Sequence, residues 1–265
     1  MGWLGRLLGG ERQDRAPARR RILIPEYPSA IYAIGDVHGC LAELHLLHQA
    51  IFADSAGIPG QKYIVTLGDY VDRGPDSAAV LDYLLGPLPP DFQRICLAGN
   101  HDVLMLEHLS DPGRDNGWLE FGGQETLASY GVSVEAYMRA GEKDRRAQLG
   151  AVIPTEHIEF LRNLPVLLRI RDTLFVHAGV CGGVPCLEQD ESDLLWRRQW
   201  DGAIEGNDWS LLVHGHTPAT EPLVESGRIG IDTGAFATGV LTAVRLMDGR
   251  KPLFLKSGVS SEGLM

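Results

Sequence analysis

Several features are scarce or missing in this sequence of 265 residues. It has only 4 cysteines, and no two of them form a C-x-x-C pair, which excludes the common zinc modules. No stretch approaches the roughly 18 consecutive apolar residues that a membrane-spanning helix needs. Positively charged residues are also few, with 24 Lys and Arg against 35 Asp and Glu, which gives a net charge of −11. This acidic excess argues against a nucleic-acid partner, because such proteins carry basic surfaces.

What is present indicates a globular protein. Hydrophobic residues make up 44% of the chain and charged residues 22%, close to the averages of folded domains. Cys181 and Cys186 share a loop and could pair, but reduced thiols and a cytoplasmic location are the simpler interpretation. Residues 1–21 hold six arginines and are expected to form a flexible basic leader before one domain spanning 22–265.

Short apolar runs alternate with helical patterns from residue 30 onward. Strands are predicted at Ile31–Ile34, Tyr63–Leu67 and Ile95–Ala98, and apolar residues at helical spacing follow each of them. Such alternation predicts a parallel sheet built from βαβ units.

A polar residue follows each of these three strands. Asp36, Asp69 and Asn100 are separated by steps of 33 and 31 residues, about one βαβ unit each. Right-handed crossovers bring the ends of such strands to one sheet edge, where open α/β sheets bind ligands. The three side chains are therefore expected to converge.

The second half of the chain changes character. Residues 111–163 show helical patterns and predict a helical insertion. Beyond it, short Gly-rich links between apolar runs predict an antiparallel or mixed second sheet. Its candidate strands are Pro165–Ile170, Thr173–His177, Leu211–His214, Leu223–Glu225, Ile229–Asp232 and Val240–Leu246.

Five motifs rich in Asp, Asn and His lie at the ends of predicted strands. Taken singly, such an Asp is usually a turn cap and such a His a core residue. Together they supply nitrogen and oxygen ligands suited to divalent metals. In chain order they are G-D-V-H-G at 35–39, G-D-Y-V-D-R-G at 68–74, G-N-H-D at 99–102, H-A-G at 177–179 and H-G-H-T at 214–217.

In this order the motifs resemble those of the calcineurin-like metallophosphoesterases, and more narrowly those of the bacterial serine/threonine phosphoprotein phosphatases. The resemblance extends from about Ile31 to Leu246 and includes accessory stretches at 122–131, 193–198 and 231–235. It implies an α/β (α+β) fold in which two mixed sheets pack as a sandwich between helices, a four-layer α/β/β/α arrangement with a helical insertion.

The resemblance also implies two divalent metal ions bridged by one carboxylate. Mn²⁺ is the expected metal, with Fe or Zn²⁺ as alternatives. His214 is interpreted as hydrogen-bonding beneath the site rather than as a ligand. Carried over by position, the implied ligands are Asp36 and His38 on the first ion, Asp69 as the bridge, and Asn100, His177 and His216 on the second.

The implied chemistry is direct attack on phosphorus by a metal-bridging hydroxide, without a protein nucleophile. Arg73 and Arg198 are expected to bind the phosphate together with Asn100 and His101. His101 is expected to protonate the leaving oxygen, and Asp72 to fix the tautomer of His101.

Three residues depart from the family pattern. Cys181 stands where many relatives carry arginine, which is expected to alter substrate contacts. Asp102 stands where glutamate is usual and is one methylene shorter, so its contacts are expected to differ. Pro218 stands two residues beyond His216, so the G-H-x-H of many phosphodiesterases is absent. This absence favours hydrolysis of phosphomonoesters.

The main expectation is a phosphomonoesterase whose partners are proteins or peptides that carry phosphoserine or phosphothreonine. The alternative is a dinucleoside polyphosphate hydrolase of the diadenosine tetraphosphate type with the same metal site. That substrate needs a surface for base stacking, and Trp118, Phe121 and Tyr130 of the insertion are interpreted as core residues instead. A binding module without catalysis is disfavoured because every implied ligand is present.

Overall fold

Eleven strands form two sheets in the computed structural model, which describes residues 18–200 and 207–258. None of the helices within these ranges is long and apolar enough to cross a membrane. The strands are Arg21–Ile24 (β1), Ala30–Ile34 (β2), Lys62–Thr66 (β3), Phe92–Cys96 (β4), Leu167–Ile170 (β5), Thr173–Val176 (β6), Leu211–His214 (β7), Leu223–Glu225 (β8), Arg228–Gly230 (β9), Thr242–Leu246 (β10) and Leu253–Lys256 (β11).

Helices connect and cover these strands. A π-helical turn, Leu119–Gly123, and a 3₁₀ turn, Cys186–Glu188, add to them. The α-helices are Leu41–Ser55 (α1), Ser77–Leu85 (α2), Asn100–Ser110 (α3), Gln124–Ser129 (α4), Val134–Arg139 (α5), Glu142–Val152 (α6), Thr155–Asn163 (α7), Glu191–Trp196 (α8) and Ala235–Thr238 (α9).

The first sheet has the strand order β11-β10-β2-β3-β4. Strands β2, β3 and β4 are parallel, and α1 and α2 form the crossovers between them. The predicted βαβ units are therefore confirmed, and their strand ends meet at one edge. The second sheet has the order β1-β5-β6-β7-β9-β8 and mixes parallel with antiparallel pairs.

One predicted strand lies in the other sheet. Val240–Leu246 was assigned to the second sheet, but β10 pairs antiparallel with β2 in the first. The reason is burial: all five residues of β2 are buried, so the backbone groups on both of its edges need hydrogen-bond partners. Two further strands, β1 and β11, were not predicted; both lie at sheet edges.

Strand β2 separates two hydrophobic clusters. Its residues Ile31 and Ala33 face the layer between the sheets, where they join Phe175 and Val213 of the second sheet. Its alternate residues belong to the cluster under the helices. Because side chains alternate across a strand, this pattern explains why the strand is apolar throughout. The predicted two-sheet sandwich is confirmed.

The predicted insertion is helical, since α4 to α7 lie within residues 111–163. The predicted leader boundary at residue 21 is wrong for its last residues, and residues 1–17 lie outside the described part of the chain. The Arg19 guanidinium donates to the carbonyl oxygens of Leu161 and Leu164 at 2.9 and 3.2 Å, where unpaired carbonyls at the end of α7 need donors. Arg21 begins β1, which pairs with β5.

We expect Phe175→Ala to lower the free energy of unfolding by about 3–5 kcal/mol, because the ring is fully buried between the sheets and its loss leaves a cavity. Urea denaturation measures the change. Leu85→Ala, at a side chain that is 45% exposed, is the control and should cost less than about 1 kcal/mol. Equal losses in the two variants would contradict the described core.

Candidate active site

The polar residues at the strand ends form one buried group at the edge of the sandwich. The loops after β2, β3, β6 and β7 and the first turn of α3 supply them. Each side chain is at most 6% exposed, so the site is largely shielded from solvent. Its members are Asp36, His38, Asp69, Asn100, His101, His177 and His216.

Asp69 lies between two histidines. Its Oδ2 is 3.5 Å from Nε2 of both His38 and His177. The Nδ1 atoms of these rings lie 2.9 Å from the carbonyl oxygens of Val71 and Leu67, so each Nδ1 carries the proton and each Nε2 presents a lone pair. Oδ2 of Asp69 and the two Nε2 atoms are therefore three acceptors that point at one another and carry no proton. A cation fits between such atoms.

A second set of atoms meets at His177. Its Nε2 is 2.8 Å from Oδ1 of Asn100 and 3.2 Å from Nδ1 of His216. Ligand atoms of Asp69, His177 and His216 all lie within 4.8 Å of one another, and so do those of Asp69, His38 and His101. Two overlapping groups that share one carboxylate can hold two metal ions.

Asp36 faces this pair of groups from β2. Its carboxylate accepts hydrogen bonds from the backbone N–H of His216 at 3.1 and 3.2 Å. The contact leaves no room for a side chain at Gly215, where a Cβ atom would lie 2.0 Å from Oδ1 of Asp36. The glycine of the H-G-H-T motif is thus explained by the close approach of the Asp36 carboxylate in the loop after β2.

Burial controls protonation in this group. It raises the pKa of Asp36 well above its usual range, and the charges of Asp232 and Asp69 raise it further. Burial also raises the pKa of Asp69 and lowers the pKa of His177 and of His216 to about 3. The pocket therefore contains neutral imidazoles beside carboxyl groups whose ionised form is disfavoured. A bound cation would stabilise the ionised form of these carboxyl groups.

His101 and Asp72 form a hydrogen-bonded pair. Nδ1 of His101 lies 2.7 Å from Oδ2 of Asp72, and both side chains are buried. Burial lowers the pKa of His101, and the charge of Asp69 opposes that shift. Nε2 of His101 therefore faces the site while Asp72 holds the opposite nitrogen.

The insertion supplies further donors to Asp72. Thr126 donates to Oδ1 at 2.7 Å, and the indole N–H of Trp118 lies 3.0 Å from both carboxylate oxygens. Burial still raises the pKa of Asp72 well above its usual range, although these two hydrogen bonds lower it. Neither donor was predicted from the sequence, because both are far from Asp72 along the chain.

Two arginines border the histidines. Arg73 places its two terminal nitrogens 3.1 Å from Nε2 of His38 and 3.0 Å from Nε2 of His101. Arg198 donates through Nε to Nε2 of His216 at 3.4 Å, whereas Arg197 forms an ion pair with Asp193. Two guanidinium groups thus lie at the mouth of the site, where they can contact an anion.

Backbone strain is concentrated in the same loops. In the described part of the chain, six residues other than glycine have positive φ, and five of them belong to this site. Each such residue costs roughly 1–2 kcal/mol, and strain of this kind is a feature of functional sites. The five are His38, Asp69, Asp72, Arg73 and His216.

Asp102 and His214 hold the loops from behind. The Asp102 carboxylate accepts from the backbone N–H groups of Gly99, Asp69 and Tyr70 at 2.8, 2.9 and 3.0 Å; burial raises its pKa to about 8. His214 lies 2.8 Å from the carbonyl oxygen of Gly215 through Nδ1 and accepts from Arg228 through Nε2. Neither side chain belongs to the two candidate metal groups.

Three other observations complete the comparison with the sequence. Asp232 is buried beside Asp36 with its pKa raised to about 6, and its position at the end of β9 could have revealed it. Cys181 and Cys186 are both free, so they do not pair. Trp118 is buried as expected, but Phe121 is 53% exposed.

The sequence profile described as calcineurin-like phosphoesterase matches residues 29–238. The chain belongs to this family. Bis(5'-nucleosyl)-tetraphosphatase PrpE of Anoxybacillus flavithermus is 27% identical over 234 residues, which cover 80% of this chain and 88% of that protein. The same enzyme of Oceanobacillus iheyensis is 29% identical over 235 residues, with coverage of 80% and 86%.

Solved structures agree with the family fold. A protein proposed to be a diadenosine tetraphosphatase superposes with a TM-score of 0.60 at 21% identity, covering 90% of this chain and 98% of that one. A cold-active protein-tyrosine phosphatase of a Shewanella species superposes with a TM-score of 0.58 at 18% identity, with coverage of 90% and 83%. At these identities the similarity shows the fold alone.

We expect Gly122→Ala to lower kcat/KM on p-nitrophenyl phosphate by about tenfold to a hundredfold, since small displacements in an active site are costly. A Cβ at Gly122 would lie 2.6 Å from the backbone nitrogen of Arg73. Gly131→Ala is the matched control, because that glycine also has a positive φ but has open space around its Cβ position. A comparable kinetic loss in both variants would show that backbone strain alone is responsible.

Proposed function

We propose that the protein is a metal-dependent dinucleoside polyphosphate hydrolase, of the type that cleaves dinucleoside tetraphosphates. One observation carries this proposal: similarity to bis(5'-nucleosyl)-tetraphosphatases covers 80% of the chain. The family match at 29–238 spans every site residue from Asp36 to His216. The alternative reached from the sequence is thus better supported than the main expectation of a protein serine/threonine phosphatase.

We propose six residues as ligands of two divalent ions. The converging lone pairs around Asp69 support this assignment, as does a donor set of nitrogen and oxygen without thiolate. Bound ions would supply an activated water and would polarise the phosphoryl oxygens. The ligands are Asp36 and His38 for one ion, Asp69 for both, and Asn100, His177 and His216 for the other.

The remaining site residues bind the phosphate and move a proton. Arg73 and Arg198 contact the phosphoryl oxygens, and their charge offsets the negative charge that develops in the transition state. Hydrolysis adds the oxygen of water to phosphorus and breaks the P–O bond to the leaving group. His101 donates a proton from Nε2 to that leaving oxygen, and Asp72 stabilises the imidazolium through Nδ1.

The buried shell keeps this proton donor in position. Because Thr126 and Trp118 also donate to the Asp72 carboxylate, they resist its rotation away from His101. Its orientation leaves only Nε2 of the ring to face the substrate. The insertion therefore contributes to catalysis in this proposal through hydrogen bonds, without contacting the phosphate itself.

Metal content separates the proposed ligands from the proposed acid. We expect Asp69→Asn to lose bound Mn²⁺, because the carboxylate shared by both groups is gone, whereas His101→Asn should retain it. The second variant should still lose kcat by about 10²–10⁴-fold, the usual contribution of a general acid. Elemental analysis and steady-state kinetics measure the two effects, with His45→Asn on the exposed face of α1 as the control. Normal turnover by His101→Asn would contradict its role.

Substrate preference tests the proposal directly. With added Mn²⁺, we expect the highest kcat/KM for diadenosine tetraphosphate, ahead of a phosphothreonine peptide and a phosphotyrosine peptide. Loss of each activity in His101→Asn assigns that activity to this site rather than to a contaminant. A phosphothreonine peptide as the best substrate would overturn the proposal and restore the protein-phosphatase interpretation.

A further inference from the structure

We propose that Phe121 is the surface on which a nucleobase of the substrate stacks. The inference rests on the proposed function and extends it to a specificity-determining residue. Ten large hydrophobic side chains are exposed in the described part of the chain. The aromatic members of that set are Phe121, Trp196 and Phe236, and all three border the active site.

The distances place these rings around the histidines. The Phe121 ring centroid is 6.4 Å from that of His101. Trp196 is 6.2 Å from His216, and Phe236 is 5.4 Å from His38. Each ring meets its imidazole edge to face, at interplanar angles between 83° and 87°. An apolar rim thus surrounds a polar centre that can bind phosphate.

Phe121 is the member of this rim best suited to receive a planar ligand. It is the most exposed of the three, at 53% against 44% for Trp196 and 40% for Phe236. The guanidinium of Arg73 lies 4.8 Å from the centroid of Phe236, so that ring already stacks on a cation. Among the described residues no cation lies over Phe121, and its ring is open to a base.

The backbone fixes Phe121 relative to the phosphate-binding arginine. Its N–H lies 3.2 Å from the carbonyl oxygens of Gly117 and Trp118, and the next residue, Gly122, accepts from the N–H of Arg73 at 3.2 Å. The ring therefore stands on the same short segment that positions Arg73. A backbone held in this way loses little conformational entropy when the ring binds a ligand.

A nucleotide matches this spacing of chemical groups. Its phosphoryl group and its base are joined through one ribose. A nucleotide whose base stacks on Phe121 can therefore place its phosphoryl group near Arg73 and His101. Every base has a flat face that stacks on an aromatic ring. Stacking also adds an uncharged contribution to binding, which inorganic phosphate and ribose 5-phosphate do not share.

Competitive inhibition measures the contribution of the base separately from turnover of the dinucleotide. With Mn²⁺-loaded protein and p-nitrophenyl phosphate as substrate, the inhibition constants of adenosine 5′-monophosphate and ribose 5-phosphate are compared. These inhibitors share the ribose and the 5′-phosphate and differ at C1′, which carries adenine in the first and a hydroxyl group in the second. We expect the nucleotide to bind about tenfold more tightly to the wild-type protein, within the usual range for stacking. In Phe121→Ala we expect the two inhibition constants to become equal.

Two further variants complete the design. Phe121→Tyr keeps an aromatic face and should retain the preference for the nucleotide. Val224→Ala, at a side chain that is 59% exposed on β8, should match the wild-type protein. A preference that survives in Phe121→Ala, or that is absent from the wild-type protein, overturns the inference.

The outcomes distinguish this inference from the proposed function. A wild-type protein that prefers the nucleotide over ribose 5-phosphate through Phe121 but does not cleave diadenosine tetraphosphate contradicts the proposed function alone. A protein that cleaves the dinucleotide without that preference contradicts the stacking alone. If Phe121→Ala impairs hydrolysis of a phosphothreonine peptide and leaves the nucleotide preference unchanged, the ring binds peptide and the inference is wrong.

Discussion

Burial of carboxyl groups at the strand ends is the constraint on which the site depends. Asp36, Asp69 and Asp72 are each at most 2% exposed, and removing a carboxylate from water is costly unless hydrogen bonds or cations compensate. Hydrogen bonds compensate part of this cost. Asp36 accepts from the backbone N–H of His216, and Asp69 accepts from the backbone N–H of His101. Asp72 accepts from the side chains of Thr126 and Trp118. Under the proposed function, divalent ions supply the rest for Asp36 and Asp69, while Asp72 is completed by the proton that His101 carries.

The same constraint explains features of the fold that lie around the site. The loops that carry the carboxylates of Asp36 and Asp69 and their backbone N–H donors contain strained φ angles, and the surrounding strands must be rigid enough to hold that strain. Strand β10 contributes by pairing with the otherwise open edge of β2, which carries Asp36 at its end. The insertion contributes by closing over Asp72. Segments that are distant along the chain, such as β10 and the insertion, thus help to stabilise a few buried carboxyl groups.

The sequence predicted those parts of the structure that depend on local pattern. Polar residues at constant steps after apolar runs located the meeting of β2, β3 and β4, and the motif order indicated the family. Contacts between distant segments were not predictable in this way. Nothing local shows that Thr126 would bond Asp72, that β10 would leave the second sheet, or that Phe121 would be exposed while Trp118, three residues earlier, is buried. Each outcome depends on how the insertion and the sheets pack, which a single sequence does not encode in its periodicity.

The net charge of −11 is compatible with an anionic substrate because charge acts locally. Two divalent ions would bring the formal total to about −7 (−11 + 4), and exposed acids more than about 8 Å away are screened at physiological salt. At the mouth of the site, Arg73 and Arg198 lie beside His38 and His216, where they can contact an anion directly. Charge alone, however, gives such a site no means to prefer a nucleotide over any other phosphate ester. Under the proposed stacking, the exposed ring of Phe121, next to the residue that binds the Arg73 backbone, supplies an interaction that is specific to the base and insensitive to the acidic surroundings.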